Sequence, residues 1–388
     1  MIYYIGIDIA KYHHDCFITT ETGEVIKENF HFKNDRNGFT ELLNLLKSLD
    51  NVSEIRIGFE ATGHYAINLR LFLEEHDYSY MECNALKVNR FNGVTTLRRV
   101  HHDKVDPIAI AKYLMATTYL PNPPKFYHKF CLKRLTRLRE TLVKNRSKYL
   151  VFLTNVLDRT FPEFKPFFKN SFSATAIFII NKYKTADKIA NMKDFESLRR
   201  ISRGKFSYAK FLKLKELAKG SIGNSNELTT IELDSILKLL TSINFEINKL
   251  DSEIETIIKE LNPPILSIKG IGITMGSAII AEFGHIPRFK SAGAMLAFAG
   301  LEPSVIQSGI KESNGKMVKH GSGYLRYHLM NAALYVMTHE PIFTEFYYKK
   351  RNEGKSHRVA LSHVAKKLVR VIYKLETDHI TFDSTKLR

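Results

Sequence analysis

The apolar and polar positions at the start of the chain alternate between strand spacing and helix spacing. Runs rich in β-branched residues are typical of strands, and apolar residues three and four apart are typical of amphipathic helices. The predicted elements are strands at 2–9, 14–20 and 24–32, a helix at 37–49, a strand at 54–60, a helix at 63–76 and a strand at 78–83. Strands mixed with helices in this order predict an α/β domain.

The middle of the chain has helix spacing over much longer stretches. Residues 131–161 predict a long basic helix, and 162–225 predict a small helical insertion. A second long helix follows, whose apolar residues step by three and four: Leu233, Ile236, Leu240, Ile243, Ile247, Leu250, Ile254, Ile257 and Leu261. Such regularity predicts a coiled-coil seam. Its partner is either the 131–161 helix of the same chain or the same helix of another subunit.

Two proline-rich breaks divide the chain into three predicted domains. They are Pro121-Asn122-Pro123-Pro124 and Asn262-Pro263-Pro264. We therefore expect an α/β domain at 1–120, a helical linker at 121–262 and a mainly helical domain at 263–388. Within the last domain, the glycine- and serine-rich segment 304–323 predicts a loop, and helices are predicted at 324–338 and 357–375.

Four acidic residues fall where strands or helices of the first domain begin or end: Asp8, Glu60, Asp103 and Asp106. A carboxylate in a buried strand is costly unless a cation pairs with it. Oxygen donors that converge at strand ends suit Mg²⁺ or Mn²⁺, and two such ions can assist chemistry at phosphorus. Alternatively, Asp8 caps a turn, and Asp103 or Asp106 caps the helix leading to Leu114. Pro107 disfavours helical geometry at Asp106, which makes Asp106 a candidate N-cap.

The charge balance indicates a polyanionic partner. The net charge is +18, and residues 87–150 contain 15 Lys/Arg but only 3 Asp/Glu. On the 131–161 helix, the basic residues predicted to contact phosphate are Arg134, Arg137, Arg139, Lys144, Arg146 and Lys148. Because few acids accompany them, a nucleic-acid backbone is the expected partner. The alternative is a solvated helix face.

The last domain opens with Gly270-Ile271-Gly272, which resembles the turn of a helix-hairpin-helix motif. There, glycines let backbone amides approach a phosphate. A plain helix–helix turn is the alternative. Arg326, near the start of the 324–338 helix, is a further candidate for nucleic-acid contact.

Composition excludes several other classes of protein. The three cysteines, Cys16, Cys83 and Cys131, match no zinc-binding spacing and favour a reducing cytoplasm. Asp8 interrupts the only N-terminal apolar run, so we expect no signal peptide, and no apolar run reaches membrane-spanning length. These observations predict a cytoplasmic protein that is not associated with a membrane.

Several short motifs together carry a resemblance to one family. They are Gly6-Ile7-Asp8, Glu60-Ala61-Thr62-Gly63-His64-Tyr65, Asp103-Lys104-Val105-Asp106, Gly270-Ile271-Gly272, Ala299-Gly300-Leu301-Glu302-Pro303 and Gln307-Ser308-Gly309. The chain resembles insertion-sequence transposases that have a DEDD RuvC-like N-terminal domain and a C-terminal serine domain. Relatives in that family include Piv-type DNA invertases and bridge-RNA-guided recombinases. The predicted strand order also is that of the ribonuclease-H-like fold.

The resemblance implies a mechanism and a set of partners. It implies that Asp8, Glu60, Asp103 and Asp106 bind Mg²⁺ or Mn²⁺ and that Ser308 is the nucleophile that joins DNA through a phosphoserine link. A serine hydroxyl needs a base or metal to activate it, so the two catalytic parts are expected to meet in a composite site. The expected partners are double-stranded DNA, a guide (bridge) RNA and further copies of the chain in a dimer or tetramer. The resemblance also implies a prokaryotic protein associated with the nucleoid.

Two other functions compete with this expectation. A metal-dependent RuvC-like nuclease, such as a junction resolvase, would hydrolyse DNA without a covalent intermediate, and Ser308 would then be structural. A non-catalytic nucleic-acid-binding protein would need none of the four acids, and buried acids without a metal would only destabilise it.

Overall fold

The computed structural model describes residues 1–50, 54–60, 63–95, 106–122, 126–168, 172–308, 311–317 and 321–386. The chain forms two compact units. The first comprises Met1–Phe130 and Phe283–Ala294, and the second comprises Cys131–Glu282 and Met295–Arg388. The predicted three-domain division at 120 and 262 stays a prediction.

A five-stranded mixed sheet is the centre of the first unit. Its strands are β1 (Ile2–Ile9), β2 (His13–Thr20), β3 (Val25–Lys33), β4 (Glu54–Glu60) and β5 (Tyr80–Cys83). The order across the sheet is β3-β2-β1-β4-β5. β1 lies antiparallel to β2 and parallel to β4, and β4 lies parallel to β5. The parallel strands therefore end on the same edge of the sheet.

Helices cover both faces of this sheet. They are α1 (Arg36–Asp50), α2 (Ile67–Glu75), α3 (Ala85–Thr95) and α4 (Asp106–Ala116). One face packs its β1 isoleucines against Leu42, Leu46 and Leu69 of α1 and α2. The other packs Tyr4 against residues of α3 and α4. Strand positions and α1 agree with the sequence prediction to within a residue or two, whereas α3 was not predicted.

A buried histidine lies within the core between the sheet and α1. The His14 side chain is fully buried beside Phe32, with ring centroids 5.0 Å apart. In the part of the chain that the structure describes, neither ring nitrogen makes a hydrogen bond of good geometry, although the nearby Asn34 and Asp15 side chains favour the protonated ring. Burial therefore lowers the pKa of His14 from 6.5 to about 4. The imidazole is neutral in the folded protein at neutral pH.

His14 should make the protein sensitive to mild acid. Because the pKa of His14 is about 4 when folded and 6.5 when unfolded, its contribution to stability is present above pH 6.5 and is lost as pH falls towards 4. We expect a loss of about 3 kcal/mol between pH 7 and pH 4. In urea titrations, His14→Phe should lose less stability than wild type over that interval. Equal losses in both proteins would show that His14 does not titrate on unfolding.

Two long helices form the framework of the second unit. They are α5 (Phe126–Thr160) and α11 (Glu227–Leu261). Side-chain contacts join Arg139 to Asp251, Arg146 to Asn244 and Arg159 to Glu232, so the residue numbers fall along one helix as they rise along the other. The two helices are thus antiparallel neighbours in one chain, which is the first of the two predicted arrangements.

The predicted seam of α11 lies largely inside. Leu233, Ile236, Leu240, Ile247, Leu250 and Ile254 are buried. Ile258 is buried in place of the predicted Ile257, and packs with Leu132 of α5. The seam therefore drifts by one position at its C-terminal end, as a straight helix does relative to a strict heptad.

The insertion between these helices is helical, as predicted. It contains α6 (Phe164–Phe167), α7 (Ala174–Tyr183), α8 (Ala186–Ala190), α9 (Phe195–Ile201) and α10 (Tyr208–Lys219). Serine or threonine caps begin α7, α8 and α10. The insertion shares a continuous core with both long helices, including Leu153, Phe164, Ile179 and Leu233.

The chain after α11 is mainly helical. It contains α12 (Ile273–Phe283), α13 (Ala292–Ala299), α14 (Gly323–His339), α15 (Pro341–Asn352) and α16 (His357–Asp378), together with short 3₁₀ turns at Pro264–Ser267, Ile286–Arg288 and Ser384–Lys386. The predicted loop at 304–323 is wrong, because β6 (Pro303–Ser308) and β7 (Lys311–Met317) form an antiparallel hairpin there. Backbone pairing outweighs the turn-forming composition of this segment.

Candidate functional site

Asp8 and Glu60 occupy equivalent places on neighbouring parallel strands. Gly6 pairs with Gly58 and Ile7 with Phe59, so the next pair in this register is Asp8 with Glu60. Both side chains are partly buried at the carboxyl ends of β1 and β4. This edge of a parallel arrangement is where α/β sheets commonly bind ligands.

The register also places both carboxylates on the face that α4 covers. A Cβ atom added to Gly6 would lie 2.0 Å from the Pro107 carbonyl oxygen, and one added to Gly58 would meet Leu114 at 2.7 Å. Side chains two residues apart on a strand point to the same face. Asp8 and Glu60 therefore point towards the side of the sheet on which α4 lies.

Asp106 is the first residue of α4, and the next residue touches β1. The close approach of Pro107 to Gly6 sets the start of α4 against β1, two residues before Asp8. The N-cap role of Asp106 stays a prediction, because α4 already includes Asp106. Its side chain and the whole of Asp103 lie outside the described residues. The convergence of all four acids stays a prediction.

The donor chemistry at this edge suits a hard cation. Glu60 pairs with Cys83 across β4 and β5, and burial, with the Glu60 carboxylate beside it, raises the pKa of the Cys83 thiol to about 12. A neutral thiol is a poor metal ligand, whereas carboxylate oxygens are the ligands of Mg²⁺ and Mn²⁺. Like charges at paired strand positions repel, so a cation between them stabilises the arrangement. The residues present fit a divalent ion.

Ser308 is the last residue of β6 and is paired with Lys311, the first residue of β7. It therefore lies at the end of the hairpin where the chain reverses. Its side chain, like those of the rest of the hairpin up to Lys316, lies outside the described residues. Further along the chain, Ser322 is the N-cap of α14. Its hydroxyl oxygen accepts a hydrogen bond from the backbone N–H of Leu325.

Most of the predicted phosphate-binding residues on α5 have partners within the protein. Arg139 forms a two-pronged ion pair with Asp251, Lys144 contacts Glu140 at 2.5 Å, and Arg146 donates to Asn244. The expectation that few acids accompany these cations overlooked α11 and α12, because acids distant in sequence are adjacent in the folded unit. Arg134 and Lys148 are exposed, and within the described ranges neither forms an ion pair. Whether this helix binds nucleic acid stays a prediction.

Arg137 has a structural partner that sequence analysis missed. The Glu282 side chain is fully buried at the end of α12, and Arg137 donates to its two oxygens at 2.6 and 3.1 Å. The Ser322 hydroxyl donates to the same carboxylate at 3.0 Å. Glu282 thereby ties α5 to the start of α14. The sequence contained a signal for this contact: Glu282 is the single acid in the otherwise apolar α12, and a buried charge requires a partner.

The other three candidates have the following surroundings. Gly270 has φ +96°, and a Cβ there would lie 2.9 Å from the Tyr335 backbone, so close packing against α14 requires this glycine. Gly272 directly precedes α12, and a Cβ there would meet open space. Arg326 donates to the Ala299 carbonyl at 3.4 Å. A short 3₁₀ helix, Pro264–Ser267, precedes Gly270, and the helix-hairpin-helix resemblance stays a prediction.

Two transposase family models match the two ends of the chain. Residues 5–162 match the DEDD family model of IS110 transposases, and residues 262–348 match the model described as "Transposase IS116/IS110/IS902 family". The chain is 23% identical over 390 residues to an uncharacterised 44.8 kDa protein of insertion element IS116 from Streptomyces clavuligerus, covering 98% of this chain and 96% of that protein.

Further relatives are named for different roles in DNA rearrangement. The chain is 24% identical to the pilin gene-inverting protein of Moraxella lacunata, with 98% of this chain and 97% of the relative covered. It is 23% identical to the mini-circle putative transposase for IS117 of Streptomyces coelicolor, covering 93% and 90%. Among the helices that the structure describes, none is long and apolar enough to cross a membrane.

Proposed function

Because the chain belongs to the IS110/IS116 family of transposases, we propose that it cuts and rejoins DNA through a covalent bond between Ser308 and a DNA phosphate. In this proposal, a divalent ion bound by Asp8, Glu60, Asp103 and Asp106 assists the reaction. The observation that carries the proposal is the paired placement of Asp8 and Glu60, on one face and one edge of the sheet, beside the start of α4.

The proposed chemistry conserves the energy of the phosphodiester. The Ser308 hydroxyl oxygen attacks phosphorus and loses its proton, and a new serine–phosphate bond forms as one DNA oxygen leaves and accepts a proton. A hydroxyl of the other DNA end then attacks the same phosphorus and releases Ser308. Mg²⁺ or Mn²⁺, when bound, would lower the pKa of the attacking group and stabilise charge at phosphorus.

The α/β unit supports the finer assignment to a RuvC-like, ribonuclease-H-like fold. Three strands precede the first helix, and the parallel strands β1, β4 and β5 are neighbours in the sheet. Asp8 and Glu60 lie at the carboxyl ends of two of these strands, β1 and β4. The proposal therefore assigns this unit the metal-binding role and assigns the C-terminal region the nucleophile.

The proposal includes three partners: double-stranded DNA, a guide RNA and further copies of this chain. The net charge of +18 favours polyanions, and the guide RNA rests on the family resemblance. Strand exchange requires several active sites to be held together, so the proposal includes a dimer or tetramer.

The test is to trap the wild-type protein on labelled DNA with added Mg²⁺ and to identify the modified residue by mass spectrometry. A phosphoserine adduct at Ser308 that disappears with EDTA is the expected result. DNA cleavage without any adduct would instead support the metal-dependent nuclease, in which water is the nucleophile. If the protein binds DNA but does not cleave it with either Mg²⁺ or Mn²⁺, the non-catalytic alternative is supported.

The structure changes which basic residues should govern binding. Arg134 and Lys148 are exposed on α5, so replacing both with Gln should flatten the salt dependence of DNA or RNA affinity by about 0.7–0.9 per lost phosphate contact. Arg139→Gln is the matched control, because Arg139 is paired with Asp251. It should lower the melting temperature and leave the slope unchanged. A slope that responds only to Arg139→Gln would contradict this assignment.

A further inference from the structure

Two histidines and an aspartate form a compact cluster on the β2–β3 hairpin. Asp15 is paired with His31 across the two strands, and His13 is two residues before Asp15 on the same face of β2. His31 Nδ1 lies 3.0 Å from one Asp15 oxygen, and His13 Nε2 lies 3.9 Å from the other. One donor atom from each residue lies within 4.8 Å of the others.

The separations of 3.0 Å (Asp15–His31) and 3.9 Å (Asp15–His13) are close to those in the ligand shell of a small transition-metal ion, and a modest side-chain rotation would bring all three donor atoms into one shell. Ligands bonded to Zn²⁺ at about 2.0–2.1 Å in a tetrahedron lie roughly 3.3 Å from one another. Two imidazoles and one carboxylate favour zinc and similar borderline ions over Mg²⁺, which prefers oxygen ligands. All three side chains retain access to solvent, with 44%, 28% and 56% exposure for His13, Asp15 and His31. An ion can therefore enter, and a water can complete its shell.

The position of the cluster gives the ion a structural role. β3 is one of the two edge strands of the sheet, and most of its residues are exposed. Asp15 is directly paired with Asp8 across β1 and β2, which sets two carboxylates at neighbouring positions. Like charges in such a pair destabilise a sheet. A cation on Asp15 would offset that repulsion and join the edge strand to β2.

We propose that His13, Asp15 and His31 bind one Zn²⁺ or similar transition-metal ion, which stabilises the attachment of β3 to the sheet. This ion is distinct from the cation proposed at Asp8 and Glu60. The proposal concerns different ligands and a different class of metal, and it does not depend on DNA chemistry.

Cobalt provides a direct test, because tetrahedral Co²⁺ with nitrogen and oxygen ligands absorbs visible light. Metal-free full-length protein titrated with Co²⁺ should develop a visible band at one ion per chain, and Zn²⁺ should abolish the band and raise the melting temperature. His31→Ala should weaken binding about tenfold or more. His76→Ala is the matched control, since His76 is an exposed histidine of the same unit outside the cluster.

A variant at the other site separates the two proposals. Asp8→Asn should keep the Co²⁺ band and the Zn²⁺ stabilisation, even if it is inactive on DNA. The inference is overturned if no band forms, or if His31→Ala binds Co²⁺ and Zn²⁺ as wild type does. A band that is lost in Asp8→Asn and retained in His31→Ala would also overturn it, because the ion would then belong to the catalytic carboxylates.

Discussion

Ser308→Ala is expected to abolish both covalent protein–DNA adducts and recombination, while affinity for DNA is retained. The reason is that the proposed transfer has no other nucleophile, and alanine lacks the oxygen that would bond to phosphorus. The substitution removes one atom at the end of β6, where the strand is held by backbone pairing with β7, so the fold should persist. Denaturing gels with end-labelled DNA measure the adduct, and circular dichroism checks the fold.

Ser304 and Ser313 are the matched controls for Ser308. Both lie in the same hairpin, Ser304 on β6 and Ser313 opposite Ile306 on β7. Ser304→Ala and Ser313→Ala should retain adduct formation. If Ser308→Ala still forms an adduct that maps to another serine, the covalent chemistry stands and the residue assignment is wrong. Cleavage by Ser308→Ala, with no adduct in wild type, would favour hydrolysis.

Asp8→Asn is also expected to lose nearly all DNA cleavage. An amide retains the shape of the carboxylate but removes the negative charge that a divalent ion requires. Losing several kcal/mol of metal-derived transition-state stabilisation corresponds to a rate decrease on the order of 10³-fold. Cleavage rates across a Mg²⁺ or Mn²⁺ titration measure the effect, and a higher metal requirement should accompany any residual activity.

Two further variants determine whether Asp8 acts as part of a metal site. Glu60→Gln should show the same loss, because Glu60 is at the paired position on β4. Glu28→Gln, an exposed acid on β3, should cleave as wild type does. Full cleavage by Asp8→Asn would remove the metal site from the proposed mechanism. Loss of cleavage with unchanged metal dependence would assign Asp8 a role other than metal binding.

Local pattern predicted the secondary structure well where one strong periodicity was present. The strand at 54–60 and the C-terminal ends of the two long helices follow directly from apolar spacing and from proline breaks, whereas α5 begins at Phe126 and not at the predicted residue 131. It failed at α3, whose apolar spacing is weak, and at the β6–β7 hairpin, where glycine and serine outweighed the strand signal. Hairpin formation depends on pairing between two segments, which neither segment shows alone.

The sequence by itself determined the mixed α/β class of the first unit, the helical character of the rest and the identity of the candidate acids. These follow from side-chain chemistry and from spacing along the chain. Only the tertiary structure decided that Asp8 and Glu60 share one face, because strand register is set by long-range pairing. It also decided that Arg137 is paired with a buried Glu282 and that His13, Asp15 and His31 form one cluster. The charge of a residue is local, but its partner depends on how distant segments pack.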